Sequence, residues 1–175
     1  MRGATRARTQ SRRVRWGARL LGAGLTAALA VGFTASPASA DAGAPSTNNV
    51  QPEEVSNEAV CPDDTDIEFS LSGGVPTGHN TYDVFDVGHI TLDVTDPPNQ
   101  TFAFSIDGSI AARQVIVHSA PSANRYRYDS TTGFPNGITQ DGLLHAPSGV
   151  SVPGYYDLTG IDFCLINSPY NGTGT

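Results

Sequence analysis

Cys61 and Cys164 are the only two thiols in the 175 residues, so whatever sulfur chemistry the chain performs rests on them. A cysteine nucleophile needs an adjacent base and a lowered pKa, and a structural zinc site needs four ligands, usually paired at short spacing. Neither pattern surrounds either cysteine. In an oxidising compartment an isolated pair is most simply a disulfide. It would close a loop of roughly a hundred residues, which the chain-entropy model values at roughly 4 to 5 kcal/mol as an upper figure.

The stretch Arg125-Tyr126-Arg127-Tyr128 is the next chemical candidate. On a strand, alternation sends both arginines to one face and both tyrosines to the other. The tyrosines suit the inward row because their rings bury much area. The arginines then have two readings: cross-strand pairing with carboxylates, or a cationic stripe that holds an acidic glycan or another anion. The four residues together are the ligand-binding candidates, with a glycan or cell-wall component as the partner.

Asp63, Asp64, Asp66 and Glu68 in "CPDDTDIE" are oxygen-rich enough to invite Ca2+. Phe69 stands where an EF-hand loop has its glycine, and no glutamate closes the loop. The stretch reads as a solvated acidic turn, and no cofactor is expected. The histidines His79, His89, His118 and His145 follow no metal-binding spacing, and H-E-x-x-H is missing. There is no G-x-S-x-G elbow, and Ser119, next to His118, would face away from it on a strand.

The elements that must position these residues begin late in the chain. Residues 1–40 combine seven arginines up to Arg19, an apolar run from Leu20 to Phe33, and Ser36-Pro37-Ala38-Ser39-Ala40. This is the layout of a signal peptide cleaved after Ala40, and the apolar run is shorter than the roughly 20 residues of a membrane span. A secreted, extracellular product is expected. From residue 41 onward only Arg113, Arg125 and Arg127 face seventeen carboxylates, a net charge of −14, and lysine is absent. Such a chain is unsuited to nucleic acid or to an acidic membrane surface.

Residues 41–60 are polar, without apolar period, and read as a disordered acidic leader. After Pro62 the period becomes two. Ile67, Phe69 and Leu71 alternate with polar residues, as do Ile90, Leu92 and Val94, and Phe102, Phe104 and Ile106; Ile161, Phe163 and Leu165 close the series. Turn signals separate these runs, and no amphipathic helical period occurs. The fold class expected is all-β: a small antiparallel β-sandwich over residues 61–166, tied by one disulfide and followed by a flexible tail at 167–175.

"QVIVHSAPSANRYRYD", "DGLLHAP" and "LTGIDFC" together resemble the closing part of a family of secreted bacterial β-rich domains of unknown function. Its pattern runs as a V-I-V-K-G-G-like strand, N-x-Y-x-Y, D-x-G-L-x-A-P and I-S-H-I-x-F-C. Here His118 stands at the pattern's lysine, Ser119 and Ala120 at its glycines, and Thr159-Gly160 at its Ser-His. The resemblance implies export, β architecture and the cysteine pair, and carries no catalytic residue. The function expected is therefore non-catalytic: an extracellular structural or ligand-binding domain, with a secreted hydrolase using an unrecognised carboxylate or His/Asp site as the alternative.

Overall fold

Alternating apolar residues pay off only when two sheets can face each other, and the chain does this with nine strands. The structure is a computed structural model and describes residues 42–120, 122–149 and 154–168. Among the described residues there is no helix. The strands are β1 (Glu53–Ser56), β2 (Ile67–Ser72), β3 (Gly78–Val84), β4 (Gly88–Val94), β5 (Thr101–Gly108), β6 (Ile110–His118), β7 (Ser122–Arg127), β8 (Gln140–His145) and β9 (Gly160–Asn167). They form a five-stranded sheet, order β1-β7-β6-β9-β2, and a four-stranded sheet, order β3-β4-β5-β8. All pairs are antiparallel. The expected all-β sandwich is what forms.

The core lies between the sheets. Ile90, Leu92, Phe102 and Phe104 from one sheet meet Val115, Val117, Ile161 and Phe163 from the other, all buried. Phe104 and Phe163 touch edge-to-face across the interface at 5.3 Å between ring centres. A fully buried aromatic or aliphatic side chain of this kind contributes about 1.5 to 3 kcal/mol. Replacing Phe163 by a polar residue would break this contact first.

Two expectations are corrected. Residues 42–60 are not an unstructured leader: Val50 is buried, and β1 pairs with β7 through Glu53↔Arg125 and Val55↔Ala123. The reason is that its polar residues find partners on the sandwich, which composition alone cannot reveal. Thr47 N–H donates to Gly142 O, and Ser46 is buried. The tail also starts later than residue 167, because Asn167 ends β9 and Ser168 N–H donates to Ser109 O. Residues 1–40, Asp41 and 169–175 lie outside the described residues, and with them the signal-peptide reading and most of the tail.

β1 and β2 are adjacent in sequence but sit at opposite edges of the five-stranded sheet. Their connection, residues 57–66, must therefore cross the sheet's outer face. Cys61 and Cys164 form a disulfide at the middle of that crossing, with Cα atoms 5.4 Å apart. Ile116, Ala123 and Cys164 are buried beneath this strap, packed against Val55, Ala59 and Cys61. A disulfide, together with the lack among the described residues of any helix long and apolar enough to cross a membrane, is compatible with an extracellular protein.

Candidate functional site: an arginine groove under the strap

Antiparallel register arranges the outer face of the five-stranded sheet in rows. One row runs Glu53, Arg125, Ile116, Asp162, Ser70 across all five strands, and the next runs Arg127, Gln114, Cys164, Glu68 across four. Arg125 and Arg127 thus share the outer face. Tyr126 and Tyr128 face the core and are fully buried. Burial pushes both phenols above their ordinary value, and Tyr128 O–H donates to Asp141 Oδ2 at 2.8 Å. The two tyrosines therefore leave the list of ligand contacts, because the regular register of β7 with β6 sends neighbouring residues to opposite faces.

Arg113 joins the groove through an irregularity. β6 pairs with β9 as Ala112↔Leu165 and then Gln114↔Cys164, so Arg113 is an extra residue opposite β9. Such a bulge re-aims side chains. Ala112 points into the core while Arg113 and Gln114 both line the outer face. Gln114, 4 % exposed, forms part of the floor and directs Nε2 to Cys164 Sγ at 3.6 Å.

The result is a groove of about 500 Å3 between the strap and the sheet, lined by Arg113, Arg125 and Arg127 together with Cys61, Asp64 and Asp129. Every cationic side chain between residue 20 and the end of the chain, histidines aside, is in it. The arginines are incompletely neutralised. Glu53 Oε2 lies 2.7 Å from Arg125 Nη2 and 3.7 Å from Arg127 Nε, so one carboxylate serves two guanidiniums. Arg113 Nη2 is 3.4 Å from Asp64 Oδ2 and Nη1 is 3.3 Å from Pro135 O. Arg125 Nε is buried with no hydrogen-bond partner, a costly state for a donor held away from water. Asp129 is held below the usual carboxylate value by its hydrogen bond from Thr131, with Arg113 adding to the effect.

The other candidates are dispersed. Asp64 faces Arg113, and Asp66 Oδ2 accepts from Asn167 N–H at 2.8 Å, while Asp63 sits on the groove rim. Asp63, Asp64 and Asp66 thus do not converge on a cation, and no three His, Cys, Asp or Glu side chains among the described residues are grouped to hold a metal. Asp64 and Asp66 turn to different partners, Arg113 and Asn167.

His118 and His145 are not brought together. His118 lies on the outer face, Nε2 at 2.7 Å from Asp162 Oδ2 and Nδ1 at 3.0 Å from Asn57 Oδ1, pinning the start of the strap. Burial raises the Asp162 carboxyl, but hydrogen bonds from His118 and Ser70 outweigh it and hold the group below its ordinary value. His145 is buried at the end of β8, stacked on Tyr155 with ring centres 3.7 Å apart. Its Nε2 reaches Ala44 O at 2.9 Å, and Gly43, at φ +91°, lets the arm pass where a Cβ would strike the ring.

Two further depressions lack this concentration of charge. A cleft of about 660 Å3 beside residues 133–139 has Asp107 as its one ionisable lining group, already hydrogen-bonded to His89 at 2.8 Å. A shallower one on the four-stranded sheet is lined by Asp93, Ala103, Ser105 and Gln140 among others, with no cation. Sequence reasoning named Arg125 and Arg127 but not Arg113, Gln114 or Glu53 as site residues. The signal it could have used is scarcity: three cations in a long acidic chain. Comparison with protein-family models, curated proteins and solved structures finds no significant match.

Proposed function

We propose that this is a non-catalytic extracellular binding domain whose site is the arginine groove, and that the groove takes the anionic group, carboxylate or phosphate, of a cell-wall or cell-surface ligand. The observation that carries the reading is the convergence of Arg113, Arg125 and Arg127 on one groove in a chain segment of net charge −14. Guanidinium groups present a planar fork that matches both anions, and Glu53 alone is shared between Arg125 and Arg127, so the pair retains donors beyond those this carboxylate takes. The disulfide and the strap make the groove rigid, which lowers the ordering cost of binding. The likeness to secreted β-rich domains accords with an extracellular role.

Two of the groove's carboxylates are already engaged, Asp64 by Arg113 and Asp129 by the Thr131 N–H, which favours binding over the hydrolase alternative. The test is calorimetric titration of the protein with acidic wall polymers and with inorganic phosphate, repeated with Arg127→Ala. Binding that weakens at least severalfold in the variant is expected. Equal binding by both proteins would remove the groove from consideration.

A further inference from the structure

The groove's charge is layered. Arg125 and Arg113 lie low, with side chains 20 % and 26 % exposed, whereas Glu53 and Asp64 stand higher, at 57 % and 61 %. Asp63, also exposed, and half-buried Asp129 complete the acidic rim. Two guanidiniums thus lie low, Arg127 stands nearly level with Glu53 at 47 % exposed, and the carboxylates outnumber the cations at the rim. A purely anionic ligand approaching from solvent meets the rim first, together with the field of the remaining carboxylates of a strongly acidic domain. It must also displace Glu53 from Arg125 without compensation for the displaced charge. A ligand carrying an ammonium beside its anion avoids both costs. Its anionic end reaches the guanidinium groups of Arg125, Arg113 and Arg127, and its cationic end meets Asp63, Asp64 and Asp129.

Resting on the reading of this groove as the binding site, we propose that its ligand is a compact zwitterion, an anionic group with an ammonium close by. Two kinds of molecule offer that chemistry: an aminoalkyl phosphate, as on a polymer or lipid headgroup, and the end of a short peptide. Phosphate and carboxylate both fit an arginine fork, so the floor alone does not choose between them, whereas the rim chooses against either anion without its ammonium.

The experiment titrates the full exported chain by calorimetry with O-phosphoethanolamine, alanyl-alanine, inorganic phosphate and acetate. One of the two zwitterions should bind about tenfold or more tightly than its bare anion, a difference of about 1.4 kcal/mol, and which one does so identifies the source. In the double variant Asp63→Asn, Asp64→Asn, the preference should collapse with phosphate binding unchanged or tighter; in Arg127→Ala both zwitterion and anion should weaken. Melting temperatures of both variants verify folding, and Arg127 and the two aspartates are exposed enough for the fold to survive. Arginine-dependent binding of the bare anion as tight as its zwitterion overturns this proposal and leaves the groove as an anion site. No arginine-dependent binding of any probe at millimolar concentration overturns both.

Discussion

The two outer faces of the sandwich are built on opposite principles. On the four-stranded sheet, cross-strand neighbours satisfy one another: His79 pairs with Asp93 at 2.7 Å, Thr81 with Thr91 at 3.1 Å, and His89 with Asp107 at 2.8 Å. Nothing among the described residues lies over the middle of that ladder. On the five-stranded sheet, the outer face is crossed by residues 57–66, pinned by a disulfide, and left with guanidiniums that outnumber their close partners. Local pairing gives a face that solvent can finish. Long-range wrapping gives a face with an inside, where unsatisfied donors can be kept.

The sharpest way to break this contrast is to cut the strap's anchor. Cys61→Ser with Cys164→Ser should lower stability by up to about 4 to 5 kcal/mol, read as a large fall in melting temperature and in denaturant midpoint. The same variant should weaken ligand binding. An unchanged midpoint would mean that packing of Ile116 and Ala123 holds the strap unaided.

Deletion of residues 42–50 comes next. It strips Asp141 of the Thr47 hydroxyl and the Asn48 N–H, takes Ala44 O from His145, and removes buried Val50. Burial and lost hydrogen bonds together predict a loss of about 3 kcal/mol, and thermal melting reports it. A shift of only a degree or two would return the segment to the status of a dispensable leader.

Leu143 gives a smaller effect of opposite sign. It is 56 % exposed with φ +58°, in the left-handed region that costs an L-residue with a Cβ about 1 to 2 kcal/mol. Leu143→Gly should therefore raise the denaturant midpoint by the equivalent of about 1 kcal/mol, discounted for the entropy of glycine in the unfolded chain. A fall would show that the exposed leucine packs on something.

On the bare face the expected effects are the smallest. Hydrogen bonding to Asp107 raises the His89 pKa above 6.5, with the Asp107 charge acting in the same direction. A raised folded-state value means that the contribution is fully present below the unfolded value and fades as pH rises through the folded one. NMR titration should place the His89 midpoint above the ordinary histidine value, and Asp107→Asn should bring it down. A midpoint unmoved by Asp107→Asn would show that the pair does not form in solution.

The same contrast explains what could be read from the sequence. β2, β4 and β5 are legible because their outward residues answer to their neighbours and to water, and β9 is legible, although the strap covers its outward Cys164, because Ile161, Phe163 and Leu165 keep the inward alternation. β8 is hidden by its bulge: Asp141 and Gly142 are buried side by side, as are Leu144 and His145, which breaks period two. β1 carries no apolar alternation, and Glu53 gains its meaning only opposite Arg125, 72 residues away. The disulfide was legible because two cysteines allow a single pairing. Arg113 and Gln114 were not, because a single inserted residue in β6 turns both onto the face that holds the groove.

The position of β9 has a consequence for timing. It is the last strand among the described residues and sits between β6 and β2, so β2 has no neighbour in its sheet until residues 160–167 have been delivered. The strap likewise has no cysteine to join before Cys164 arrives. A chain that emerges N-terminus first can pair β1, β7 and β6 but cannot complete the five-stranded sheet before β9 arrives. β2 waits, unpaired in its sheet, for β9 to slide in beside it, and only then can Cys61 meet Cys164 and fix the strap.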